Sequence, residues 1–343
     1  MVPFAGWEMP VQYASVIAEA KAVRESAGMF DVSHMGRLII EGPESLQFLE
    51  RVTSNDVVKL GDDVGQYSLL PNEQGGCVDD IIVYHLRGNE FRMVVNASNH
   101  DKDLDWLRAH LPDGLEIVDQ TRETAMIAVQ GPTAIETLAL LSDLPEALRG
   151  APAFGVVHTR IAGVPCFAAR SGYTGEDGFE LVCPASESIA LWDVLVGAGV
   201  LPCGLAARDT LRVEAGLPLY GHELNDTLSP IAVGLGWVVG KTKSFIGSDI
   251  VNAARRDGTP TKIYGVKLGV KRLIPSGARV CVEGRDVGEI TSGVVSPLLD
   301  TAIGFALLDS STALDTPCTV DLRGKPEPGV VTGKRFYRRT QAR

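Results

Sequence analysis

Apolar residues recur at two spacings that alternate along the first two thirds of the chain. Residues 45–52 place Leu46, Phe48 and Leu49 on one side of a helix, whereas 66–70, 77–86 and 90–95 read as strands. Turn sequences, Asn72-Glu73-Gln74-Gly75-Gly76 and Arg87-Gly88-Asn89, separate those strands and predict a β-meander. A helix over 101–110 follows, entered through Asn99 and stopped by Pro112. The middle of the chain alternates in the same way. A strand at 124–130 precedes a helix through Leu141, opened by a Thr133/Glu136 capping box. Strands at 156–161 and 164–169 lead to the glycine-rich stretch 171–178 and a strand at 179–183. Helices at 186–196 and 206–215 come next, the second closed by Gly216 where left-handed backbone is favoured. After about residue 230 short apolar runs at 263–268, 278–282, 286–291 and 319–322 lie between glycines and prolines, predicting a compact all-β unit. The expected class is α+β, with a break near residue 230.

Composition narrows the function. At roughly 150 residues per domain, 343 residues suggest two domains. With 45% hydrophobic and 22% charged residues, the chain can bury a core without disulfide or metal staples. A net charge of −11 speaks against broad binding to nucleic acid or an anionic membrane. Residues 333–343 are the exception: they hold Lys334, Arg335, Arg338, Arg339 and Arg343 and no acid. The N-terminus has no signal-peptide pattern, and no apolar run approaches the roughly 18 residues of a membrane helix. Six scattered cysteines without a C-x-x-C pair suit neither a zinc site nor a disulfide framework, so a reducing, soluble compartment is expected.

Familiar motifs fail on spacing. Gly234-Leu-Gly236-Trp237-Val-Val-Gly240-Lys-Thr242 misses the phosphate-loop spacing by placing Leu235 at the first glycine, and a closely packed strand is expected there instead. No G-x-S-x-G and no H-E-x-x-H occur. Among the histidines only His34, in Asp31-Val-Ser-His34-Met-Gly36, has neighbours suited to lining a site.

Three segments ask for an explanation. In 75–84, Asp79 and Asp80 enter an otherwise apolar strand, and a buried carboxylate needs a partner. Alternation puts Asp80 with Val78, Ile82 and Tyr84 on one face, and Asp79 with Ile81, Val83 and His85 on the other. Two readings stand: both acids cap the Gly-Gly turn at the strand mouth, or Asp80 and Tyr84 line a pocket. In 172–180, Glu176 and Asp177 read as the solvated tip of a hairpin, while the roles of Tyr173 and Glu180 stay open. In 204–214, Arg208 sits in the first turn of a helix, where the dipole disfavours a cation, so it answers a carboxylate of the protein or of a ligand.

Together these segments resemble the aminomethyltransferase (T-protein) family of the glycine cleavage system. The similar stretches are Phe4-Ala-Gly-Trp-Glu-Met-Pro10, Phe30-Asp-Val-Ser-His-Met35, 75–84, 172–180, Gly204-Leu-Ala-Ala-Arg-Asp209, Glu214-Ala-Gly-Leu-Pro-Leu-Tyr220 and Gly234-Leu-Gly-Trp237. The resemblance implies a three-domain cloverleaf around a central folate channel, with a ferredoxin-like α/β domain and a C-terminal all-β domain of jelly-roll or Greek-key type. Its domains would be 1–38 with 123–230, 39–122, and 231–343. It further implies a cytoplasmic enzyme that moves the methylene of an aminomethyl group from the lipoyl arm of H-protein onto tetrahydrofolate, releasing ammonia and needing no metal. The family's catalytic aspartate falls on Asp80. Met35, Tyr67, Tyr84, Tyr173, Glu180, Arg208, Trp237 and Tyr337 match residues that bind the folate. The basic residues 334–339 are expected to meet the folate's glutamate tail or an acidic partner. Two relatives of the family define alternatives: folate-dependent demethylases, and a non-catalytic folate-binding protein of iron–sulfur cluster maintenance marked by Lys-Gly-Cys-Tyr-x-Gly-Gln-Glu. The corresponding residues 243–249 here contain no cysteine.

Overall fold

Three large sheets and a small N-terminal hairpin, Val2–Phe4 with Trp7–Met9, carry the chain, which a computed structural model describes over residues 1–339. The first is five-stranded and antiparallel, in the order Val64–Pro71, Cys77–His85, Glu90–Val95, Gly36–Glu41, Glu116–Asp119. Helices Ser45–Val52 and His100–Ala109 cover one face, where Phe48, Leu49 and Leu107 meet Leu38, Ile40, Ile81, Val83 and Met93. The second sheet is six-stranded, in the order Val156–Ile161, Val164–Ala169, Gly178–Pro184, Thr124–Gln130, Gly28–Asp31, Leu201–Pro202. Helices Ala134–Leu141, Pro145–Gly150 and Ser188–Gly197 bury Ile127, Val129, Phe179 and Leu181 on one of its faces. Met126, Ala128 and Val182 belong to the opposite face, which packs on helices Val16–Glu25 and Leu205–Ala215. Ile82, Tyr84 and Val94 of the five-stranded sheet join that same cluster. Two sheet faces are thereby turned toward each other.

Both sheets share one plan: strand, helix, three-stranded meander, helix, closing strand, with the last meander strand pairing to the opening one. A ferredoxin-like unit carries a two-stranded hairpin where these carry three strands, and the six-stranded sheet also inserts Gly28–Asp31 beside its closing strand, so that expectation is corrected by one strand in the first unit and two in the second. The C-terminal unit, Thr261–Leu268 to Pro326–Thr332, is a closed six-stranded antiparallel barrel. Four of its strands lie in Greek-key order, but closure leaves no second sheet and so no jelly roll. Strand Thr301–Asp309 pairs on both sides and has six consecutive buried residues, so it lacks the alternation by which a strand is recognised in sequence.

Other local expectations change. Thr133 makes no side-chain cap, and Glu136 turns to Arg149 at 2.6 Å instead. Gly236–Val238 is a 3-10 turn rather than a strand, because Leu235, Val238 and Val239 fill a cluster with Leu69 and Cys77 while Trp237 points outward. Helices Val16–Glu25 and Ser248–Asp257 were not expected. Among the described residues no helix is long and apolar enough to cross a membrane.

The loop after helix Leu205–Ala215 ties the units together. Cys77 N donates to Asn225 O at 3.0 Å, and Asn72 Nδ2 donates to Asp226 O at 2.8 Å. A Cβ on Gly76 would lie 1.9 Å from Asp226 O, so only glycine admits this approach. Buried Arg212 links the helix to the barrel through Glu223 at 2.8 Å and Ser292 at 2.7 Å.

Candidate active site

Strand Cys77–His85 divides its two acids as alternation requires. Ile81 and Val83 face the helices, and Asp79, fully buried, faces that way too. Ile82 and Tyr84 face the six-stranded sheet, and so does Asp80, which keeps partial exposure. The acids are therefore not turn caps. Asn72 caps that turn, its Oδ1 accepting from Gln74 N at 3.1 Å and Gly76 N at 3.0 Å.

Asp80 is held at both oxygens. Tyr67 Oη donates to Oδ2 at 2.7 Å, and Asn96 Nδ2 donates to Oδ1 at 2.9 Å. Burial first, and then the adjacent charge of Asp79, push the Asp80 carboxyl up to about 7; the Tyr67 and Asn96 hydrogen bonds pull the other way. Burial and the Asp80 charge push the Tyr67 phenol well above its ordinary value, so it stays protonated as a donor. Trp237 is 69% exposed, and its ring stacks on Tyr67 with centroids 5.9 Å apart.

Glu180 faces Asp80's sheet. Its strand neighbours Phe179 and Leu181 enter the opposite core, so Glu180 projects with Val182 onto the inner face, 5% exposed. Ser171 Oγ donates to Glu180 Oε2 at 2.5 Å, and Tyr84 Oη donates to Ser171 Oγ at 3.1 Å. Tyr84 is only 1% exposed and packs edge-on to Phe167, so it braces Ser171 from behind the wall rather than lining it. Arg208 lies with its guanidinium 5.0 Å from the Tyr173 ring centroid, and its Nη1 is buried without a partner among the described residues. Burial pulls the Arg208 guanidinium down, and the charge of Glu180 opposes that. Tyr173 Oη donates to Pro218 O. Met35 packs against the Tyr84 cluster.

His34 is 5% exposed, meets Phe4 edge-on, and its Nδ1 has no partner among the described residues. Burial first, then Arg208, pull it down to about 4, so it is neutral. Six predicted residues, Met35, Tyr67, Tyr84, Tyr173, Arg208 and Trp237, thus lie around Asp80 and Glu180. Tyr337 borders Gly175, where an added Cβ would lie 3.6 Å from its ring, and Arg24 lies 3.9 Å over that ring while pairing with Glu176 at 2.9 Å and Glu214 at 2.8 Å. Glu176 is therefore a buried ion-pair partner, not a solvated hairpin tip, and Asp177 pairs with Arg170 at 2.7 Å. The basic stretch is also partly committed, because Lys334 Nζ donates to Val233 O at 2.8 Å and Arg339 pairs with Asp177 at 2.6 Å. Arg343 lies outside the described residues.

Asn96, Asn99, Ser171 and Asp103 were missed. The helix is entered through Asn99 as expected, but the side chain makes no cap bond; its Nδ2 donates to Asp79 Oδ1 at 2.5 Å instead. The spacing of two amides just after a strand was the available signal. A surface recess of about 500 Å³, bordered by Arg92, His158, Arg160 and Phe167, contains none of the predicted site residues. Clustered perturbed groups with convergent hydrogen bonds are the stronger indicator of chemistry, and they lie at Asp80.

Comparison with known proteins identifies the family. Residues 1–243 match the GCVT N-terminal domain, and 262–338 match the glycine cleavage T-protein C-terminal barrel domain. An aminomethyltransferase of Geobacillus kaustophilus is 44% identical over 99% of this chain and 95% of its own length. One from Synechococcus elongatus is 43% identical over 99% and 93%. The crystal structure of glycine cleavage system aminomethyltransferase T from Bartonella henselae superposes with a TM-score of 0.90 at 31% identity, covering 98% of this chain and 93% of that one. On these matches and this fold, the chain belongs to the glycine cleavage T-protein family.

Proposed function

We propose that this protein is an aminomethyltransferase that takes the methylene of an aminomethyl group from the lipoyl arm of H-protein and passes it to tetrahydrofolate in the cytoplasm. The observation that carries the reading is the pair of facing carboxylates, Asp80 and Glu180, on the inner faces of two different sheets. The three sheets would form the cloverleaf, with 1–38 and 123–230, 39–122, and 231–343 as its domains and the folate in the channel between them. The donor set suits a pterin. Its paired N–H groups match a carboxylate such as Glu180, and the unpartnered Arg208 Nη1 offers a donor to its acceptor edge. Tyr173, Trp237, Tyr67 and Met35 supply the apolar walls.

In the transfer, the C–S and C–N bonds of the aminomethyl group break and two C–N bonds to the folate amines form. The two folate N–H protons leave with the thiol and with ammonia. Asp80 needs only to orient a folate amine and to stabilise the iminium-like charge that develops on the methylene. Its carboxylate is prepared for this by two fixed donors, so little reorganisation accompanies reaction. The test is tetrahydrofolate-dependent ammonia release from aminomethylated H-protein, with a methylated sulfonium compound as control. Release only from the H-protein adduct is expected. Methyl transfer from the sulfonium without ammonia release would overturn the reading in favour of a demethylase.

A further inference from the structure

Helix His100–Ala109 turns Asp103 onto the back of strand Cys77–His85. Asp103 is fully buried, and neither of its carboxyl oxygens meets a donor among the described residues. It lies against the carboxylate of Asp79, which is also fully buried. Asp79 is richly served: it accepts from Asn96 N at 2.8 Å, Asn96 Nδ2 at 2.9 Å and Asn99 Nδ2 at 2.5 Å. The Asn96 amide also holds Asp80, so one side chain spans the two adjacent acids.

Two bare carboxylates in contact inside a protein repel each other and forfeit their hydration, and one proton between them removes both costs. The donors decide which acid keeps it. Asp79 is surrounded by N–H groups that stabilise an anion, whereas Asp103 has none. The nearby cation Lys102 opposes the proton only in part, since its Nζ is held by Tyr220 Oη at 2.7 Å and Asp226 at 3.4 Å and makes no hydrogen bond to Asp103 among the described residues. The remaining titratable groups near the cluster, Cys77, Tyr220 and Asp226, add no positive charge. A metal ion does not suit the place either, because amide hydrogens already point at the oxygens of Asp79 and Asp80.

We propose that Asp103 is a positioning residue held as the neutral acid, its hydroxyl donating to Asp79 so that Asp79 stays an anion behind Asp80 and governs Asp80's charge. Burial, and then the Asp79 charge, push the Asp103 carboxyl up to about 11, in the same sense. The role in turnover rests on Asp80 acting as described above, but the location of the proton does not.

Infrared difference spectra of the full-length protein and Asp103→Asn at about pH 8 read the proton directly, about four units above the ordinary carboxyl value. The wild type minus D103N spectrum is expected to show the C=O stretch of a protonated acid. Carboxylate bands in its place would overturn the proposal. The pH profile of ammonia release supplies the second readout. D103N keeps a donor to Asp79 and should leave the acid limb in place. Asp103→Ala removes that donor, favours protonation of Asp79, and should move the limb down by about one pH unit. A D103N limb displaced as far as that of D103A would mean that a charge had been removed, which also overturns the proposal. If D103A does not fold, D103N alone decides.

Discussion

Tyr67→Phe removes one oxygen and leaves the ring, so the stack on Trp237 survives while the 2.7 Å hydrogen bond to Asp80 Oδ2 is lost. That bond joins a neutral donor to an ionised acceptor, a class that contributes about 1.5–3 kcal/mol. It stabilises only the charged form of Asp80, so its loss raises the proton affinity. At about 1.4 kcal/mol per unit, the carboxyl should climb one to two units from its present position near 7. Near pH 7.5 the ionised fraction, and with it the single-turnover rate of ammonia release, should fall by roughly 3- to 25-fold. The deficit should shrink above about pH 9.5, where Asp80 is ionised in both proteins. Rapid-quench measurement of ammonia release across the pH range tests this. An acid limb that does not move, or an equal loss at every pH, would refute the reasoning.

Two more outcomes follow from named groups. A native Asp103 that keeps a proton the unfolded chain releases above about pH 4 contributes stability that should be lost as pH rises from there toward about 11. One such proton contributes a slope of up to about 1.4 kcal/mol per pH unit, and D103N should lack it in denaturant titrations across pH; equal slopes would contradict the assignment. Glu180→Gln removes the charged acceptor offered to the pterin and should weaken tetrahydrofolate binding by about 10- to 100-fold in calorimetry, with unchanged circular dichroism. Unaltered affinity would remove Glu180 from the folate site.

Much of this was legible in the sequence, for physical reasons. Strand alternation sent Asp79 and Asp80 to opposite faces, and the structure places them so. Alternation could not tell which face meets the other sheet; the resemblance pointed to Asp80. The paired acids looked equally like turn caps because their donors, Asn96, Asn99 and Tyr67, come from other segments. Glu176 read as solvated because its partner Arg24 lies 152 positions away in the chain. Tyr84 shares Asp80's face by alternation, but Phe167 and Ser171 cover it, and such cover is a property of packing rather than of spacing. The strand Thr301–Asp309 escaped notice because both of its faces are buried.

The most direct test of the whole account is Asp80→Asn, followed by single-turnover ammonia release and by tetrahydrofolate binding on the same preparation. The amide keeps the shape of the side chain and removes the charge, so the transfer step should slow by at least about 100-fold while the protein stays folded. Full turnover together with unchanged folate affinity would contradict the assignment of Asp80 as the group on which the reaction depends.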